Sequence, residues 1–270
     1  MASIHPSAII EAGAQIDPSV TVGPYSIIGP HVRIGAGSSV GSHCVIEGHT
    51  TIGQGNVIHN YAALGAAPQD KKYAGEPTQL VIGDRNTIRE FCTFNAGTVS
   101  GGGITRIGHD NLFMAYVHLA HDCQIGSHTI FANNSQLAGH VHVDDWVILG
   151  GFTVVRQFLR LGAHSFTAMC SLLFADLPPF VTCEGQPADA RTVNAEGLRR
   201  RGFSPERIAA VKAMHKALYR ENLSLEAAKV RIGQIAQQTP EAQPDVQMMQ
   251  DFLAGVGKAG IVRRRARAAG

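Results

Sequence analysis

Two histidines and an aspartate occur close together in the segment VHLAHDCQIG, residues 117–126, as His118, His121 and Asp122. A neutral imidazole oriented by a carboxylate can act as a general base near pH 7. Imidazoles that converge on one point can instead bind zinc and leave one coordination position open. The chain has 13 histidines, so structural positions are also numerous. The elements that surround this segment must decide between these uses.

An apolar residue recurs every six positions through most of the chain and sets the surroundings of these histidines. The repeat begins at Ile4 and returns in the same phase at Ile82 after an excursion over residues 66–80. A second interruption at residues 100–106 shifts the phase by one residue, and the repeat then continues to Leu173. A helix cannot keep a six-residue period on one face, whereas short strands joined by turns can.

This hexapeptide pattern resembles that of hexapeptide acyltransferases, which fold as a left-handed parallel β-helix with three hexads per 18-residue coil. We therefore predict a mainly β protein, a left-handed parallel β-helix over residues 1–185, followed by a small C-terminal α-helical domain over residues 186–270. Ser204 as N-cap with Pro205 in the first turn predicts one helix there, and Ser224 begins another.

Composition restricts the class of protein. Of the 270 residues 44% are apolar, which is ample for a large core. Only 16% are charged and the net charge is +2, so we expect neither nucleic acid nor a membrane surface as partner. Without a signal-like amino terminus or a run of about 18 apolar residues, a cytoplasmic protein without membrane insertion is expected. The five cysteines form no CxxC pair, which indicates reduced, structural thiols.

The 18-residue coil predicts which residues stack on the histidine segment. Gly139 falls directly above His121, and His140 falls above Asp122, so both join the cluster with His118. Zinc remains an alternative, because some β-helix enzymes are carbonic anhydrases of the γ class. Those enzymes place two of their histidines five residues apart on one face, a spacing that His118 and His121 do not match. The pattern thus favours a base, with no metal and no cofactor.

The chain resembles the UDP-N-acetylglucosamine O-acyltransferases that begin lipid A synthesis in the motifs EGHTTIG, QDKKYAGEPT, IGDRNTIRE, MAYVHLAHDC, LAGHVHVDDW and NAEGLRRRGFS. The motifs occur in order over nearly the whole chain. The resemblance implies transfer of an (R)-3-hydroxyacyl group from acyl carrier protein to the 3-hydroxyl of UDP-N-acetylglucosamine. It also implies a homotrimer with active sites between subunits.

Roles for individual residues follow from the same resemblance. His121 becomes the general base, Asp122 its orienting partner, and the Gly139 backbone N–H the oxyanion donor. Residues matching contacts to the sugar nucleotide or acyl chain are Asp70, Lys72, His118, His140 and Gln157, and those near the uridine and phosphates are Asn194, Glu196, Arg200 and Arg201. Because acyl carrier protein is acidic, Lys71, Lys72 and the arginine-rich tail of VRRRARAAG are candidate docking charges.

The chain departs from the common family pattern at three places. It reads TFNAGT where the family commonly has TIHRGT, so Asn95 and Ala96 replace a histidine and an arginine. It reads VRQF where the family has VHQF, which places Arg156 at a histidine position. None of these residues is the base, so we expect activity to persist while nucleotide affinity and acyl binding change.

The third departure concerns the length of the acyl chain. A column of third-position residues 18 apart consists of Ala115, Asn133, Gly151 and Met169. Family members that accept long chains resemble one another in having glycine at the position of Met169. Gly151 and Met169 are therefore the candidate acyl-chain ruler, and a medium-chain donor of about ten carbons is expected, since each excluded methylene forfeits about 0.8 kcal/mol of burial.

Two other functions compete with this interpretation. The sister UDP-3-O-acylglucosamine N-acyltransferases are also β-helices that use a histidine, but they carry a separate amino-terminal uridine-binding domain. The hexads here begin at Ile4, which favours the O-acyltransferase. A hexapeptide-repeat protein with only a structural or binding role is the other alternative.

Overall fold

The computed structural model describes residues 2–263, and most of this chain winds into a parallel β-helix with three faces. Face A contains β1 (Ser3–Ile4), β4 (Thr21–Val22), β7 (Ser39–Val40), β10 (Val57–Ile58), β13 (Thr87–Ile88), β16 (Leu112–Phe113), β19 (Ile130–Phe131), β22 (Ile148–Leu149), β25 (Phe166–Thr167), β27 (Val181–Glu184) and β28 (Asp189–Val193).

Faces B and C complete each coil. Face B contains β2 (Ile9–Ile10), β5 (Ile27–Ile28), β8 (Val45–Ile46), β11 (Ala63–Ala66), β14 (Thr93–Asn95), β17 (His118–Leu119), β20 (Gln136–Leu137), β23 (Val154–Val155) and β26 (Leu172–Leu173). Face C contains β3 (Gln15–Ile16), β6 (Arg33–Ile34), β9 (His49–Ile52), β12 (Gln79–Ile82), β15 (Ile104–Ile107), β18 (Gln124–Ile125), β21 (His142–Val143) and β24 (Arg160–Leu161). The predicted parallel β-helix with three hexads per coil is confirmed.

Turns join the faces at three corners. In the coil that carries the histidine segment, corner AB spans residues 114–117, corner BC residues 120–123 and corner CA residues 126–129. Strands stack in register at 18-residue intervals, for example Ser3 against Thr21. Both interruptions of the hexad repeat leave the helix at corner BC, between β11 and β12 and between β14 and β15.

The aliphatic residues that open the hexads fill the interior. Most are buried, and three phenylalanines, Phe94, Phe113 and Phe131, follow one another through the core with ring centroids 5.0 and 4.9 Å apart. The exceptions are Ile4, which is 38% exposed, and Ile10 and Ile16, which are partly buried, and all three lie in the first described coil. Stacked coils bury a continuous core, so a residue in the first coil has only one coil to pack against.

The helical region follows β28 and has a core of its own. It contains α1 (Ala195–Arg200), α2 (Pro205–Tyr219), α3 (Leu225–Gln238) and α4 (Gln243–Ala254). The helices predicted at Ser204 and Ser224 are confirmed, since each serine side chain accepts a hydrogen bond from the third residue after it. The Arg207 guanidinium forms two 2.8 Å hydrogen bonds to the buried Asp245 carboxylate and ties α2 to α4.

Two further observations concern expectations from composition. Among residues 2–263, no helix is long and apolar enough to cross a membrane. The five cysteines all lie in this part of the chain and form no disulfide. Burial raises the pKa of the Cys123 thiol, which follows the histidine segment, to about 12. That thiol is therefore a structural residue at neutral pH.

Candidate active site

His121 and Asp122 form a hydrogen-bonded pair at corner BC. The His121 Nδ1 atom lies 2.7 Å from Asp122 Oδ2, and the two side chains are 15% and 1% exposed. A carboxylate oxygen can only accept a hydrogen bond, so in the neutral imidazole the proton resides on Nδ1. The Nε2 atom then has a free lone pair, which is the arrangement that a general base requires.

Asp122 is held by more than the histidine. Its two carboxylate oxygens also accept hydrogen bonds from the N–H and the hydroxyl of Thr98, at 2.7 and 2.6 Å. Its own backbone N–H donates to Thr105 Oγ1 at 2.8 Å. Buried charge is costly unless it is hydrogen-bonded, and these contacts satisfy that requirement.

Gly139 lies against the face of the His121 imidazole one coil higher. The stacking predicted from the 18-residue period is visible in the 3.0 Å hydrogen bond from His140 N–H to the His121 carbonyl oxygen. A Cβ atom at position 139 would lie 2.5 Å from His121 Cε1 and 2.8 Å from Nε2, so any other residue there would displace the ring. Within residues 2–263, the Gly139 N–H donates to no hydrogen bond.

His140 completes the cluster above the pair. Its Nε2 lies 3.6 Å from Asp122 Oδ2, and its ring packs edge-to-face on His121 with centroids 5.1 Å apart. On its other side, His140 stacks on Phe158 at 4.4 Å. Candidate ligand atoms of His121, Asp122 and His140 lie within 4.8 Å of one another, so proximity alone would permit a metal ion.

His118 lies beside this cluster on face B. Its Nδ1 is 2.8 Å from the Thr93 hydroxyl. Burial is the largest cause that lowers the pKa of His118, and the nearby positive charge of a protonated His121 lowers it further. A neutral His118 at pH 7 suits a hydrogen-bonding contact to an uncharged group.

The other residues predicted at corner BC lie on the excursion and the next coil. Asp70 and Lys72 belong to the loop after β11, where the Asp70 carboxylate accepts a 3.0 Å hydrogen bond from the Lys72 N–H. Gln157 is exposed one coil above Gly139, as the 3.1 Å bond from Phe158 N–H to the Gly139 carbonyl oxygen shows. These residues project at the same corner as His121.

The predicted nucleotide residues lie elsewhere. Asn194 caps α1 by accepting a 2.9 Å hydrogen bond from Gly197 N–H, and Glu196 pairs with Arg199 and Arg200. The Arg201 guanidinium lies 3.1 Å from His164 Nδ1 and 5.2 Å from the centre of the Trp146 ring.

Trp146 and His164 belong to corner CA, so Arg201 is not at the corner of His121. A cleft of about 570 Å³ opens beside these two side chains, between face C and Met248 of α4. Burial lowers the pKa of Arg201, but a guanidinium keeps its charge at any physiological pH.

The candidate ruler column lies at the third corner. Each column residue accepts a backbone hydrogen bond from the residue that follows the next column member. The Ala115 carbonyl oxygen accepts from Asn134 N–H at 3.1 Å, and the Gly151 carbonyl oxygen accepts from Cys170 N–H at 2.8 Å. Met169 is 70% exposed, so its side chain is not part of the core of this chain. The column lies at corner AB, and its side chains line an open surface in a single chain.

The positions where the chain departs from the family pattern lie near His121 or on the surface. Asn95 and Ala96 are buried at the end of β14, one coil below. The Asn95 side chain donates a 3.3 Å hydrogen bond to Ala67 O, and its Oδ1 is buried without a hydrogen-bond partner among the described residues. Arg156 is exposed.

Sequence reasoning missed Thr98, whose two hydrogen bonds to Asp122, at 2.7 and 2.6 Å, are as short as that of His121 at 2.7 Å. The signal was present in the segment TFNAGT and in the change of phase that follows it. The basic tail beyond residue 263, a predicted docking segment, lies outside the described residues.

Comparison with known proteins identifies the family. The family model described as UDP-N-acetylglucosamine O-acyltransferase, domain 2, matches residues 176–262, and that of bacterial transferase hexapeptide repeats matches residues 1–36 and 104–139. An acyl-(acyl-carrier-protein)–UDP-N-acetylglucosamine O-acyltransferase of Albidiferax ferrireducens is 70% identical over 200 residues, which cover 74% of this chain and 76% of that protein.

Relatives also match over their whole length. The protein of the same name from Janthinobacterium sp. strain Marseille is 56% identical over 97% of this chain and 100% of its own. The crystal structure of UDP-N-acetylglucosamine O-acyltransferase from Moraxella catarrhalis superposes with a TM-score of 0.92 at 41% identity, covering 97% of this chain and 100% of that one. On this evidence the chain belongs to the UDP-N-acetylglucosamine O-acyltransferase family.

Proposed function

We propose that the protein transfers an (R)-3-hydroxyacyl group from acyl carrier protein to the 3-hydroxyl of UDP-N-acetylglucosamine, the first step of lipid A synthesis. The observation that carries this proposal is the His121–Asp122 pair, whose imidazole faces the Gly139 backbone one coil away. The names of the relatives agree with the same reaction.

The reaction uses His121 Nε2 as the base. It removes the proton from the sugar 3-hydroxyl while that oxygen attacks the carbonyl carbon of the acyl thioester. Asp122, which accepts the Nδ1 proton, stabilises the imidazolium that forms. When the tetrahedral intermediate collapses, the C–S bond breaks and the imidazolium returns the proton to the carrier thiolate. The products are the 3-O-acyl sugar nucleotide and the free carrier thiol.

Gly139 supplies the oxyanion donor in this scheme. Neighbouring strands lie about 4.8 Å apart, so the N–H of one coil and the base of the next are separated by about the size of a tetrahedral centre. An N–H group that has no partner within the described chain is available for the developing negative charge. The donor is fixed by the backbone, which costs no reorganisation during the reaction.

Substrate contacts fall into two sets on this scheme. Asp70, Lys72, His118, His140 and Gln157 surround the acceptor sugar and acyl group at corner BC, while Asn194, Glu196, Arg200 and Arg201 bind the uridine and phosphates. The arginines suit a pyrophosphate because a guanidinium forms paired hydrogen bonds with it. In one chain Arg201 of the second set lies at corner CA, away from His121.

A homotrimer with active sites between subunits would bring the two sets of substrate-binding residues to the same site. Residues at different corners of one triangular coil cannot face the same ligand, but those of two adjacent copies can. The column with Gly151 and Met169 at corner AB supports the same arrangement, since its end residue Met169 is 70% exposed and a second copy would be needed to close a groove there. Light scattering that gives the mass of a single chain in solution would contradict the trimer.

We also propose a medium-chain donor of about ten carbons and docking of the acidic carrier on Lys71 and Lys72. Met169 ends the column, and both lysines are exposed on the loop after β11. Charge-guided docking predicts that turnover falls as salt rises, because exposed charges are screened. A rate with carrier-linked donor that ignores salt and charge reversal of Lys71 would contradict the docking proposal.

Zinc chemistry is the second candidate, favoured only by the proximity of His121, Asp122 and His140. The hydrogen bonds from Thr98 and from His121 Nδ1 already occupy the Asp122 oxygens. We therefore expect the acyl transfer to persist after dialysis against a strong chelator. Loss of activity that zinc restores would favour the metal site.

The direct test incubates the protein with UDP-N-acetylglucosamine and a series of 3-hydroxyacyl carriers of 8 to 16 carbons. We expect the ten-carbon donor to be consumed fastest, with 3-O-acyl product detected by mass spectrometry. If none of the donors reacts, the proposed function is wrong. If UDP-3-O-acylglucosamine but not UDP-N-acetylglucosamine is acylated, the N-acyltransferase alternative is correct.

A further inference from the structure

The second interruption of the hexad repeat forms a short loop against the Asp122 carboxylate. Residues 96–103 connect β14 to β15 and contain a 3₁₀-helix at Val99–Gly101. Thr98 precedes this helix and provides two hydrogen bonds, from its N–H to Asp122 Oδ1 at 2.7 Å and from its hydroxyl to Oδ2 at 2.6 Å. The proposed reaction assigns no role to these contacts.

The local sequence fixes Thr98 in this position. The Thr98 carbonyl oxygen accepts a 2.7 Å hydrogen bond from Gly103 N–H, and its side-chain oxygen accepts one from Gly101 N–H at 3.2 Å. Because a carboxylate oxygen can only accept, the Thr98 hydroxyl donates its single proton to Asp122 Oδ2. The Gly101 backbone packs so closely on the carboxylate that a Cβ there would overlap its atoms.

The Asp122 oxygen that binds the Thr98 hydroxyl is the one that binds the base. Oδ2 accepts from Thr98 Oγ1 at 2.6 Å and from His121 Nδ1 at 2.7 Å, while Oδ1 accepts from the Thr98 N–H. With both oxygens held, the carboxylate plane cannot rotate. The direction of the His121 Nδ1–H bond, and with it the direction of the Nε2 lone pair, is then fixed.

We infer that Thr98 is a positioning residue, which holds Asp122 so that His121 faces the substrate hydroxyl. The inference rests on the proposed function, because it deepens the account of the same site. It also explains the change of hexad phase, since a regular turn of six residues would place no donor beside this carboxylate. Thr98 acts through Asp122 and does not itself contact the reacting atoms.

The experiment compares Thr98→Val with Thr98→Ser. Valine keeps the shape and the backbone N–H but removes the hydroxyl, so kcat should fall about 10- to 100-fold, the value expected for one hydrogen bond to a charged group. The KM for UDP-N-acetylglucosamine should change less than about twofold. Serine retains the hydroxyl and should keep the wild-type kcat. A valine variant with normal kcat, or a serine variant as slow as valine, overturns the inference.

A double-mutant cycle separates positioning from general stabilisation. In an Asp122→Asn background, Thr98→Val should reduce kcat less than about threefold further, because the carboxylate through which it acts is absent. Losses that multiply in the double variant would show that Thr98 acts independently and would overturn the inference. A wild-type protein that transfers no acyl group overturns the proposed function as well, whereas an active wild type with unchanged Thr98→Val overturns this inference alone.

Discussion

Corners BC and CA both present histidines on the same scaffold, but their surroundings give them different properties. At corner BC, His121 is hydrogen-bonded to the Asp122 carboxylate. At corner CA, His164 lies between Trp146 and Phe180 with ring centroids 6.2 and 5.4 Å away. Burial, followed by the charges of Arg201 and Arg207, lowers the pKa of His164 to about 4. A carboxylate partner gives His121 the features of a base, whereas burial and two nearby arginines make His164 a neutral structural residue.

The course of the chain accounts for this difference. The turns at corner CA are short, and rings stack on one another from coil to coil along it. The ring centroids of His128 and Trp146, for example, are 4.2 Å apart. Corner BC is interrupted twice, and the second interruption brings Thr98 to Asp122. In a solenoid the regular positions give stability, while insertions supply polar groups that the repeat cannot.

A large loss of activity is expected from a change at Gly139, which lies against the His121 ring at corner BC. Gly139→Ala keeps the backbone N–H but introduces a Cβ within 2.5 Å of His121 Cε1, which must displace the ring. Because a displacement of about 1 Å can cost about 100-fold in rate, we expect kcat to fall at least that much. The kcat of the variant is obtained from initial rates with UDP-N-acetylglucosamine and carrier-linked donor.

The matched control is Gly257→Ala, where an added Cβ meets nothing within 4 Å. This variant should keep the wild-type rate and the wild-type unfolding temperature. A Gly139→Ala protein with a rate within twofold of wild type would mean that the compact contact at corner BC has no part in the reaction.

The third corner should control specificity and leave the chemistry unchanged. Met169→Gly at corner AB removes the side chain that ends the column. At about 0.8 kcal/mol per methylene, burial of four additional carbons should raise the kcat/KM ratio of 14-carbon to 10-carbon donors by up to roughly 200-fold. Met169→Leu, which keeps the bulk, should retain the ten-carbon preference. An unchanged ratio in the glycine variant would show that Met169 does not set the preferred chain length.

The smallest effect concerns stability at corner CA. The pKa of His164 is about 4 in the folded protein, against about 6.5 for an unfolded chain. Between these values the unfolded state binds more protons, so the free energy of unfolding falls as the pH is lowered from 6.5 to 4.

His164→Phe keeps the aromatic stack and removes this titration. Urea unfolding should therefore show a smaller loss of stability between pH 7 and pH 4 than in wild type, by on the order of 2 kcal/mol. An equal loss in both proteins would show that folding does not lower the pKa of His164, which would contradict the difference between the two corners.

The repeat allowed much of the fold and part of the site to be predicted from sequence. A constant 18-residue coil fixes which residues stack, so the contact between His121 and Gly139 followed from counting alone. The exposure of Ile4 could not be predicted from the repeat, because the repeat does not show how many coils a given residue packs against.

Residues outside the repeat could not be placed in the same way. The contact of Thr98 with Asp122 depends on the path of an insertion, which has no period. Arg201 was predicted as a ligand contact, but its position against Trp146 depends on how the helical region packs on the coils. Such packing involves residues far apart in sequence, and no local pattern encodes it.

The role of His121 as the base is tested by comparing the turnover of His121→Ala with that of His128→Asn. Both histidines lie on the same coil, but His128 is at corner CA, and asparagine tolerates its left-handed backbone. Loss of a general base predicts a kcat about 100- to 10,000-fold lower for His121→Ala, with unchanged unfolding temperature and oligomeric mass, while His128→Asn remains close to wild type. A His121→Ala protein that retains the wild-type kcat would contradict the assignment of His121 as the base.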